Sequence, residues 1–193
     1  VAVLSTINPI EQSNKARDAK VQNDAAEVLN ALERYYAGKG AQASYPWLDV
    51  DVTARGVDSV NDAFYTISNR IGFGLCGNAV TAATEQAECD TSTQPGLLMT
   101  TEELKQSFLV KGYTKLSSDV GYKFSDVLYL VKQDGASGNS LYVCFIPAAK
   151  ANHTSNSKLK QLTIVNNVPT TFQDATQDEI AAADYTSAAN SLF

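Results

Sequence analysis

The stretch that decides the fold reads NPIEQSNKARDAKVQNDAAEVLNALERYYAGKG and covers residues 8–40. Asn8 belongs to the residue types that favour a helix N-cap, and Pro9 favours the first helical position. Glu11, three residues after Asn8, completes a capping-box pattern. Glycines such as Gly38 commonly end helices. The stretch therefore predicts one helix of about 28 residues, where an ordinary globular helix has about 11–12.

The predicted helix changes character along its length. Residues 12–20 are almost entirely polar. Further along, apolar side chains recur at the three- and four-residue spacing of a buried helix face. They are Val21, Ala25, Val28, Leu29, Leu32, Tyr35 and Tyr36. We expect the second half of the helix to pack on a core and the first half to project from the domain.

Shorter helices are expected later in the chain. A helical period over residues 60–71, stopped by Gly72, predicts a second helix. Capping boxes at residues 100–103 and 176–179 predict two more. Between the first two helices, the Tyr-Pro-Trp segment at residues 45–47 is predicted to act as a hydrophobic plug in a loop.

The second half of the chain is rich in strand-like runs. DVLYLVK at residues 126–132, LYVCFIP at 141–147 and QLTIVNNV at 161–168 carry many β-branched and aromatic side chains. Asp-Gly and Gly-Asn pairs within residues 133–140 suit a hairpin between the first two runs. Short connections favour an antiparallel meander. The predicted fold is α+β, with the long helix packed on an antiparallel sheet of three to four strands.

The composition bounds the class of protein. With 193 residues and 44% hydrophobic content, the chain is long enough for one domain with a sizeable core. Only 19% of the residues are charged, which is typical of a secreted or surface-exposed domain. The net charge of -6 argues against nucleic acid as a partner of the bulk surface. No segment of this sequence approaches the roughly 20 apolar residues that span a bilayer.

Three cysteines leave the disulfide pattern open. Cys76 and Cys89 lie in a segment rich in Gly, Ala, Thr and Asp, and their pairing would close a short loop in an oxidising compartment. Cys144 lies in a strand-like run, where a small buried hydrophobe is expected. The rival pattern pairs Cys144 with either of the other two. None of the cysteines has metal-ligand spacing.

The single histidine, His153, limits the catalytic options. It lies in a polar stretch directly after a predicted strand, where we expect an exposed loop residue. A Cys–His pair with Cys144 is formally open, but Cys144 alternates with predicted core residues. The sequence has no GxSxG, HExxH, Walker A or GxGxxG motif. We therefore expect no catalytic residues and no enzymatic activity. Residues 152–154 match the N-glycosylation sequon.

The first part of the chain resembles a known family. LSTINPIEQ at residues 4–12 and NKARD at 14–18 resemble the region after the transmembrane half of the first helix in bacterial type IV pilins and type II secretion pseudopilins. ALERYY at residues 31–36, followed by Tyr-Pro at 45–46, is similar to the end of the pilin spine helix where it enters the globular head. The resemblance covers residues 1–47. Beyond them only the order agrees, with helix first and antiparallel sheet later.

The resemblance implies a division of the chain and a mode of assembly. Residues 1–40 would be the C-terminal half of the spine helix and 41–193 the globular head. An apolar membrane helix and a prepilin-peptidase site would precede Val1, with residues 1–4 as the tail of that helix. The helix would anchor the subunit in the inner membrane before assembly. It would then drive self-assembly into a homopolymeric extracellular filament, with the pilus assembly machinery as partner.

Several alternatives stay open at this stage. The chain would also suit a pseudopilin of a type II secretion system, or a secreted binding or adhesin module that shares the helix–sheet plan. A secreted enzyme ranks last. Pro9 would kink a helix that continues on its N-terminal side, or would simply be the first residue of a helix that starts there.

Calcium is the one cofactor that the resemblance raises, because pseudopilins often hold calcium in a C-terminal loop. The carboxylates that cluster near the C terminus are Asp174, Asp178, Glu179 and Asp184. Hard oxygen ligands of this kind suit calcium, although the sequence has no DxDxDG spacing. Asp178 and Glu179 are also explained as residues at a helix start, where the helix dipole favours negative charge.

Overall fold

The computed structural model describes residues 8–40, 45–46, 63–66, 73–75, 95–111, 123–132, 141–154, 159–165 and 168–183. The fold is α+β. The helices with described bounds are α1 (Pro9–Gly38), α2 (Leu97–Thr100) and α3 (Gln177–Ala182). The strands are β1 (Ala63–Thr66), β2 (Leu128–Lys132), β3 (Leu141–Phe145), β4 (Lys160–Val165) and β5 (Val168–Asp174). Short 3₁₀ helices cover Gln106–Val110, Phe124–Asp126 and Lys150–Thr154.

Helix α1 starts with the N-cap and the proline that the sequence predicted. The Asn8 side chain accepts a hydrogen bond from the Ile10 N–H at 3.1 Å, and Pro9 is at the first helical position. The helix runs for 30 residues and ends where the Lys39 N–H donates to the carbonyls of Tyr36 and Ala37. Gly40 follows with a φ of 60°.

The buried face of α1 is longer than predicted. It comprises Asp18, Val21, Asp24, Ala25, Val28, Ala31, Leu32 and Tyr35. The expectation that the polar first half projects from the domain is therefore wrong, because burial begins at Asp18 and contacts begin earlier still. Those contacts are polar, so they do not show as apolar periodicity.

Two antiparallel sheets make up the described β-structure. The first has the order β1-β2-β3, with Phe64 opposite Val131 and Leu128 opposite Phe145. The second is the β4-β5 hairpin, in which Lys160 lies opposite Asp174. The predicted strand at residues 161–168 is thus part of a hairpin, and Val168 already belongs to the returning strand.

The helix predicted over residues 60–71 is wrong at residues 63–66, which form β1 and pair with β2. The sequence there is Ala-Phe-Tyr-Thr, whose aromatic and β-branched residues favour a strand once a partner is present. The remaining residues of that predicted helix lie outside the described residues.

The capping boxes predicted at residues 100–103 and 176–179 have different outcomes. Helix α2 ends where the first box was expected to open a helix, and the hydroxyls of Thr100 and Thr101 donate backward to the Leu97 carbonyl at 3.2 and 2.7 Å. The second box is confirmed. Thr176 Oγ1 accepts from the Glu179 N–H at 3.3 Å, and Glu179 Oε2 accepts from the Thr176 N–H at 2.6 Å.

The core lies between α1 and the three-stranded sheet. Strand β2 is buried on both faces, since residues 128–131 are all 0% exposed. Val28 and Leu32 of α1 are also fully buried and belong to the same hydrophobic cluster. A smaller cluster of Leu159, Ala175 and Ile180 joins the β4-β5 hairpin to α3.

One tight junction packs Pro46 against this core. Pro46 is buried, as the plug prediction requires, whereas Trp47 lies outside the described residues. Gly74 has a φ of 69°, and a Cβ atom built there would lie 2.7 Å from the Pro46 Cβ and 3.0 Å from the Leu98 Cγ. The position therefore needs glycine for its backbone conformation and for space.

Gly74→Ala should lower the free energy of unfolding by about 2–4 kcal/mol, because it combines left-handed backbone strain with overpacking. Gly38→Ala is the matched control. A Cβ at Gly38 meets nothing within 4 Å, so that variant should stay within about 1 kcal/mol of the parent, in the stabilising direction. Urea unfolding of both variants measures the difference. Equal midpoints would contradict the tight junction.

Candidate functional site

The first half of α1 is docked on the head through a buried carboxylate. Asp18 is 2% exposed. Its two oxygens accept hydrogen bonds from the Ala148 N–H at 2.9 Å, the Ala149 N–H at 2.9 Å and the Asn152 amide at 2.7 Å. Hydrogen bonds to an ionised acceptor are stronger than neutral ones. Asp18 therefore fixes α1 to the turn that follows β3.

Three neighbours on α1 extend this contact. Arg17 donates to the Ser125 carbonyl at 2.6 Å and to Asp126 Oδ1 at 3.1 Å. Asn14 donates to the Ala148 carbonyl at 3.3 Å, and Glu11 accepts from the Ala151 N–H at 3.3 Å. Glu11 thus reaches the head at residue 151, although the sequence suggested it as a capping partner of Asn8. We call Glu11, Asn14, Arg17 and Asp18 the polar dock.

The sequence carried a signal for the polar dock that apolar periodicity missed. Positions 21, 25, 28, 32 and 35 are buried at alternating spacings of four and three. The same spacing continued toward the N terminus passes through Asp18, Asn14 and Glu11. The spacing alone, without regard to polarity, therefore predicts a contact face that reaches the start of α1.

The middle of α1 is held by a partly buried cation. Lys111 Nζ donates to Asp24 Oδ1 and, at 3.3 Å, to Glu27 Oε2, and it lies 4.6 Å from the centroid of the Phe108 ring. Burial lowers the pKa of Lys111, but the hydrogen bonds to Asp24 and Glu27 outweigh it and raise the pKa above its usual value. Lys111 therefore stays charged. It joins α1 to the 3₁₀ helix Gln106–Val110, which directly precedes Lys111 in the chain.

The C-terminal end of α1 is fixed by one ion pair and one aromatic stack. Arg34 Nε donates to Glu103 Oε2 at 2.6 Å. The rings of Tyr36 and Tyr45 stack with centroids 4.6 Å apart. Burial, followed by the nearby Tyr36 and Glu33, raises the pKa of Tyr45. Tyr36, the second of the paired aromatics that end the helix, thus contacts the Tyr-Pro segment directly.

The first turn of α1 is the exposed end of this arrangement. Asn8, Pro9 and Ile10 are all exposed, and Ile10 is 70% exposed. Pro9 is the first helical residue of the described segment. The residues before Asn8 lie outside the described residues, so a kink at Pro9 stays a prediction.

A cleft of about 380 Å³ opens beside the second half of α1. Its walls are one face of α1, strand β3 with the residues that follow it, and the start of β4. The lining residues are Gln22, Ala25, Ala26, Leu29, Tyr142, Val143, Cys144, Phe145, Pro147, Asn152, Leu159 and Lys160. Most are apolar, and Lys160 is the one charged side chain among the described lining residues. We call this the α1–β3 cleft.

Cys144 contributes a thiol to the α1–β3 cleft. It is a free thiol in this structure, and Cys76 and Cys89 lie outside the described residues, so the predicted disulfide pattern stays a prediction. Burial raises the pKa of Cys144 to about 12, against the opposing effect of Lys160. Only the thiolate is a strong nucleophile, so this thiol is poorly suited to covalent chemistry near neutral pH.

His153 differs from its prediction as an exposed loop residue. It is half-buried in the 3₁₀ helix Lys150–Thr154, and its Nε2 lies 2.9 Å from the Pro147 carbonyl oxygen. Its neighbour Asn152 belongs to the sequon, but the Asn152 amide donates to Asp18. The Nδ2 atom that would carry a glycan is therefore the atom that donates to Asp18.

The described calcium candidates, Asp174, Asp178 and Glu179, lie at the junction of β5 and α3. Asp174 Oδ1 accepts from Lys160 Nζ at 2.5 Å. Glu179 is engaged in the Thr176 capping box, whose backbone and hydroxyl hydrogen bonds lower the Glu179 pKa. Asp184 lies outside the described residues. Among the described residues no three acidic, His or Cys side chains are grouped closely enough to hold a metal ion, and calcium stays a prediction.

Two further findings concern membrane-spanning helices and similarity to known proteins. None of the helices in the described part of the chain combines the length and the apolar character needed to cross a membrane. No protein-family model matches the sequence, and comparisons with curated proteins and with solved structures give no match.

Asp18→Asn should lower the free energy of unfolding by about 2–3 kcal/mol. The NH₂ group of the new asparagine would face the N–H donors that hydrogen-bond to the Asp18 carboxylate, so one of them would lose its acceptor. Asp126→Asn is the matched control. The Asp126 side chain is 46% exposed and pairs with Arg17, so its loss should cost less than about 1 kcal/mol. Urea unfolding measures both. A smaller effect at Asp18 than at Asp126 would overturn the assignment of the polar dock.

Proposed function

We propose that this protein is a structural subunit, a pilin, of an extracellular filament of the type IV pilus kind, and that it has no catalytic role. The proposal takes the resemblance of residues 4–18 as its starting point. The observation that carries it is the attachment of α1 to the head over nearly its whole described length. Contacts begin at Glu11 and continue to Tyr35.

This attachment suits a subunit that must transmit force. A helix of 30 residues is about 45 Å long. If its first half were loose, a pull on that end would bend the helix before it reached the head. The polar dock removes this weakness through hydrogen bonds from α1 to the backbone at residues 125 and 148–151. Such a helix and head would move as one body inside a filament.

The remaining parts of the proposal follow the resemblance. The full-length subunit would be held in the inner membrane by an apolar helix ahead of α1 and would pass to the filament through the pilus assembly machinery. In the filament the heads would face outward at the cell surface. The pilin-like arrangement of helix and sheet is part of the same proposal.

Two other functions are kept as rivals. A pseudopilin of a type II secretion system would share the coupled helix and head, but would build a short filament that pushes exoproteins outward. A secreted binding or adhesin module is favoured by one observation, the α1–β3 cleft, because a largely apolar cavity of this size falls within the range of ligand pockets.

The proposed function predicts filaments. When the full-length gene product is expressed together with a type IV assembly machinery, negative-stain electron microscopy should show surface filaments of regular diameter that an antibody against the head labels. A strain without the assembly ATPase is the control. A subunit that stays in the membrane without polymerising would contradict the proposal. If no surface filaments form and deletion of the gene from its own host abolishes exoprotein secretion, the pseudopilin is favoured.

A further inference from the structure

The exposed end of α1 carries an apolar side chain at its tip. Ile10 is 70% exposed, and the exposed Pro9 precedes it. Helix α1 begins at Pro9, because Asn8 has extended backbone angles and its side chain accepts from the Ile10 N–H. A helix start also presents the positive end of the helix dipole. A single exposed isoleucine means little by itself, so the charges around it decide what it can contact.

Two exposed lysines lie behind this tip on α1. Lys15 and Lys20 follow Ile10 by about 8 Å and about 15 Å along the helix axis. At 3.6 residues per turn, they are about 140° apart around the axis. The tip is therefore bordered by positive charge on two different sides of the helix.

The head adds two more exposed lysines beside the first half of α1. Lys150 directly precedes the residue whose N–H donates to Glu11 at 3.3 Å. Lys123 lies in the segment that contacts Arg17, because its carbonyl accepts from the Asp126 N–H at 3.0 Å and Asp126 pairs with Arg17. We call Lys15, Lys20, Lys123 and Lys150 the basic collar.

The charges of the basic collar are available to a partner. Elsewhere in the structure, Lys111 is paired with Asp24 and Glu27, and Lys160 is paired with Asp174. Within the ranges that the structure describes, no ion pair involves a lysine of the collar.

This end of the molecule has a charge opposite in sign to that of the chain. The chain has 15 bases and 21 acids, a net charge of -6. Residues 8–20, 123–126 and 148–154 hold five of these bases and three of the acids, a net charge of +2, which leaves -8 for all other residues. Of the three acids, Asp18 is buried and Asp126 pairs with Arg17. An anionic partner would therefore be attracted to this end and repelled by the rest of the chain.

The spacing of the tip and the collar suits a lipid surface. Apolar side chains of proteins that lie on a membrane enter its boundary by about 5–10 Å. With Ile10 inserted to that depth, Lys15, about 8 Å behind it, lies at the level of the lipid phosphates. Lysines at such a boundary keep their charged ends in water. Binding of nucleic acid phosphates would use the lysines alone and would leave the exposed Ile10 without a role.

We propose that this end of the molecule docks on a membrane surface that contains anionic phospholipids, with Ile10 in the headgroup region and the basic collar at the lipid phosphates. The inference rests on the proposed function for its setting and names a lipid partner for the head itself. In that setting the contact would hold α1 upright on the membrane before assembly, with the acidic remainder of the chain directed away from the anionic surface.

Vesicle flotation tests the contact directly. The 193-residue chain is mixed with vesicles of phosphatidylcholine alone, or of equal parts phosphatidylcholine and phosphatidylglycerol. We expect at least about tenfold more protein on the anionic vesicles, because each lysine near an anionic leaflet raises the affinity about fivefold. Raising the salt from about 50 mM to about 500 mM should remove most of this difference, because the Debye length falls. Equal binding to the two kinds of vesicle, or none to the anionic vesicles, would overturn the inference.

A lysine footprint locates the surface without any substitution. The chain is acetylated with N-hydroxysuccinimide acetate with and without anionic vesicles, and the modified peptides are quantified by mass spectrometry. The collar lysines should react at least about threefold more slowly with the vesicles present. The exposed Lys39, about 44 Å along α1 from Ile10, is the matched control and should react at an unchanged rate. Equal slowing at Lys39 and at the collar would contradict this orientation.

Paired substitutions test the charge of the collar. The double variant Lys15→Ala/Lys150→Ala should bind the anionic vesicles about tenfold or more weakly than the parent. The double variant Lys39→Ala/Lys105→Ala removes the same charge at exposed positions outside the collar, and should bind within about twofold of the parent. Thermal unfolding of both variants separates a loss of contact from a loss of fold. Equal losses of binding in two folded variants would count against the collar.

A neutral substitution tests the apolar tip. Ile10→Ser should weaken binding to the anionic vesicles about fivefold or more, because an inserted isoleucine loses its apolar contact. Val110→Ser is the matched control, since Val110 is 86% exposed and lies outside the collar. It should change binding by less than about twofold. An Ile10→Ser variant that binds as tightly as the parent would show that the tip does not insert.

The outcomes for this contact and for the proposed function are distinguishable. Collar-dependent binding to anionic vesicles, without filaments from the full-length protein, would support the contact and contradict the pilin function. Filaments from a protein whose head shows no preference for anionic vesicles would support the pilin function and overturn the contact. Tighter binding to double-stranded DNA than to anionic vesicles at equal phosphate concentration would overturn it in favour of a nucleic-acid surface.

Discussion

The burial of the Asp18 carboxylate under the backbone of the turn after β3 is the interaction on which the arrangement of helix and sheet depends. Ala148 and Ala149 follow β3 within a few residues, so their hydrogen bonds to Asp18 determine where the sheet lies along α1. Apolar packing between Val28, Leu32 and the sheet is strong but less specific about register, because hydrophobic burial is non-directional. The hydrogen bonds to the Asp18 carboxylate are directional, so they fix the position of the sheet along α1.

The elements that could be predicted from the sequence were those with strong local signals. The cap at Asn8, the strands β2 and β3 and the Thr176 capping box each combine a local preference with a burial pattern, and the structure confirms them. The apolar stripe of α1 is confirmed except at Tyr36, which is 39% exposed, and at Leu29, which is half-buried. The capping box predicted at residues 100–103 had the right residue types. Its threonines are used at a helix end, where their hydroxyls satisfy a carbonyl of the preceding turn.

The errors have a common physical origin in non-local contacts. Residues 63–66 keep a helical period, but pairing with β2 makes them a strand. The polar dock and the α1–β3 cleft join residues more than a hundred positions apart, and the bonds from the dock to the head link side chains of α1 to distant partners. One sequence does not show which turn a carboxylate will meet. The helical spacing of Glu11, Asn14 and Asp18 does place them on the buried face of α1, but polar residues are not counted when apolar periodicity is used to identify that face.

The same dock makes the proposed function physically reasonable, because a filament subunit needs its helix and head to move together. The most direct test of that central claim is amide hydrogen exchange by NMR at Ala148 and Ala149. Docking by Asp18 predicts that both amides are protected to a degree close to that of the β2 amides at residues 128–131. Exchange of both at the rate of an unstructured peptide would show that the first half of α1 is not docked, and would contradict this account.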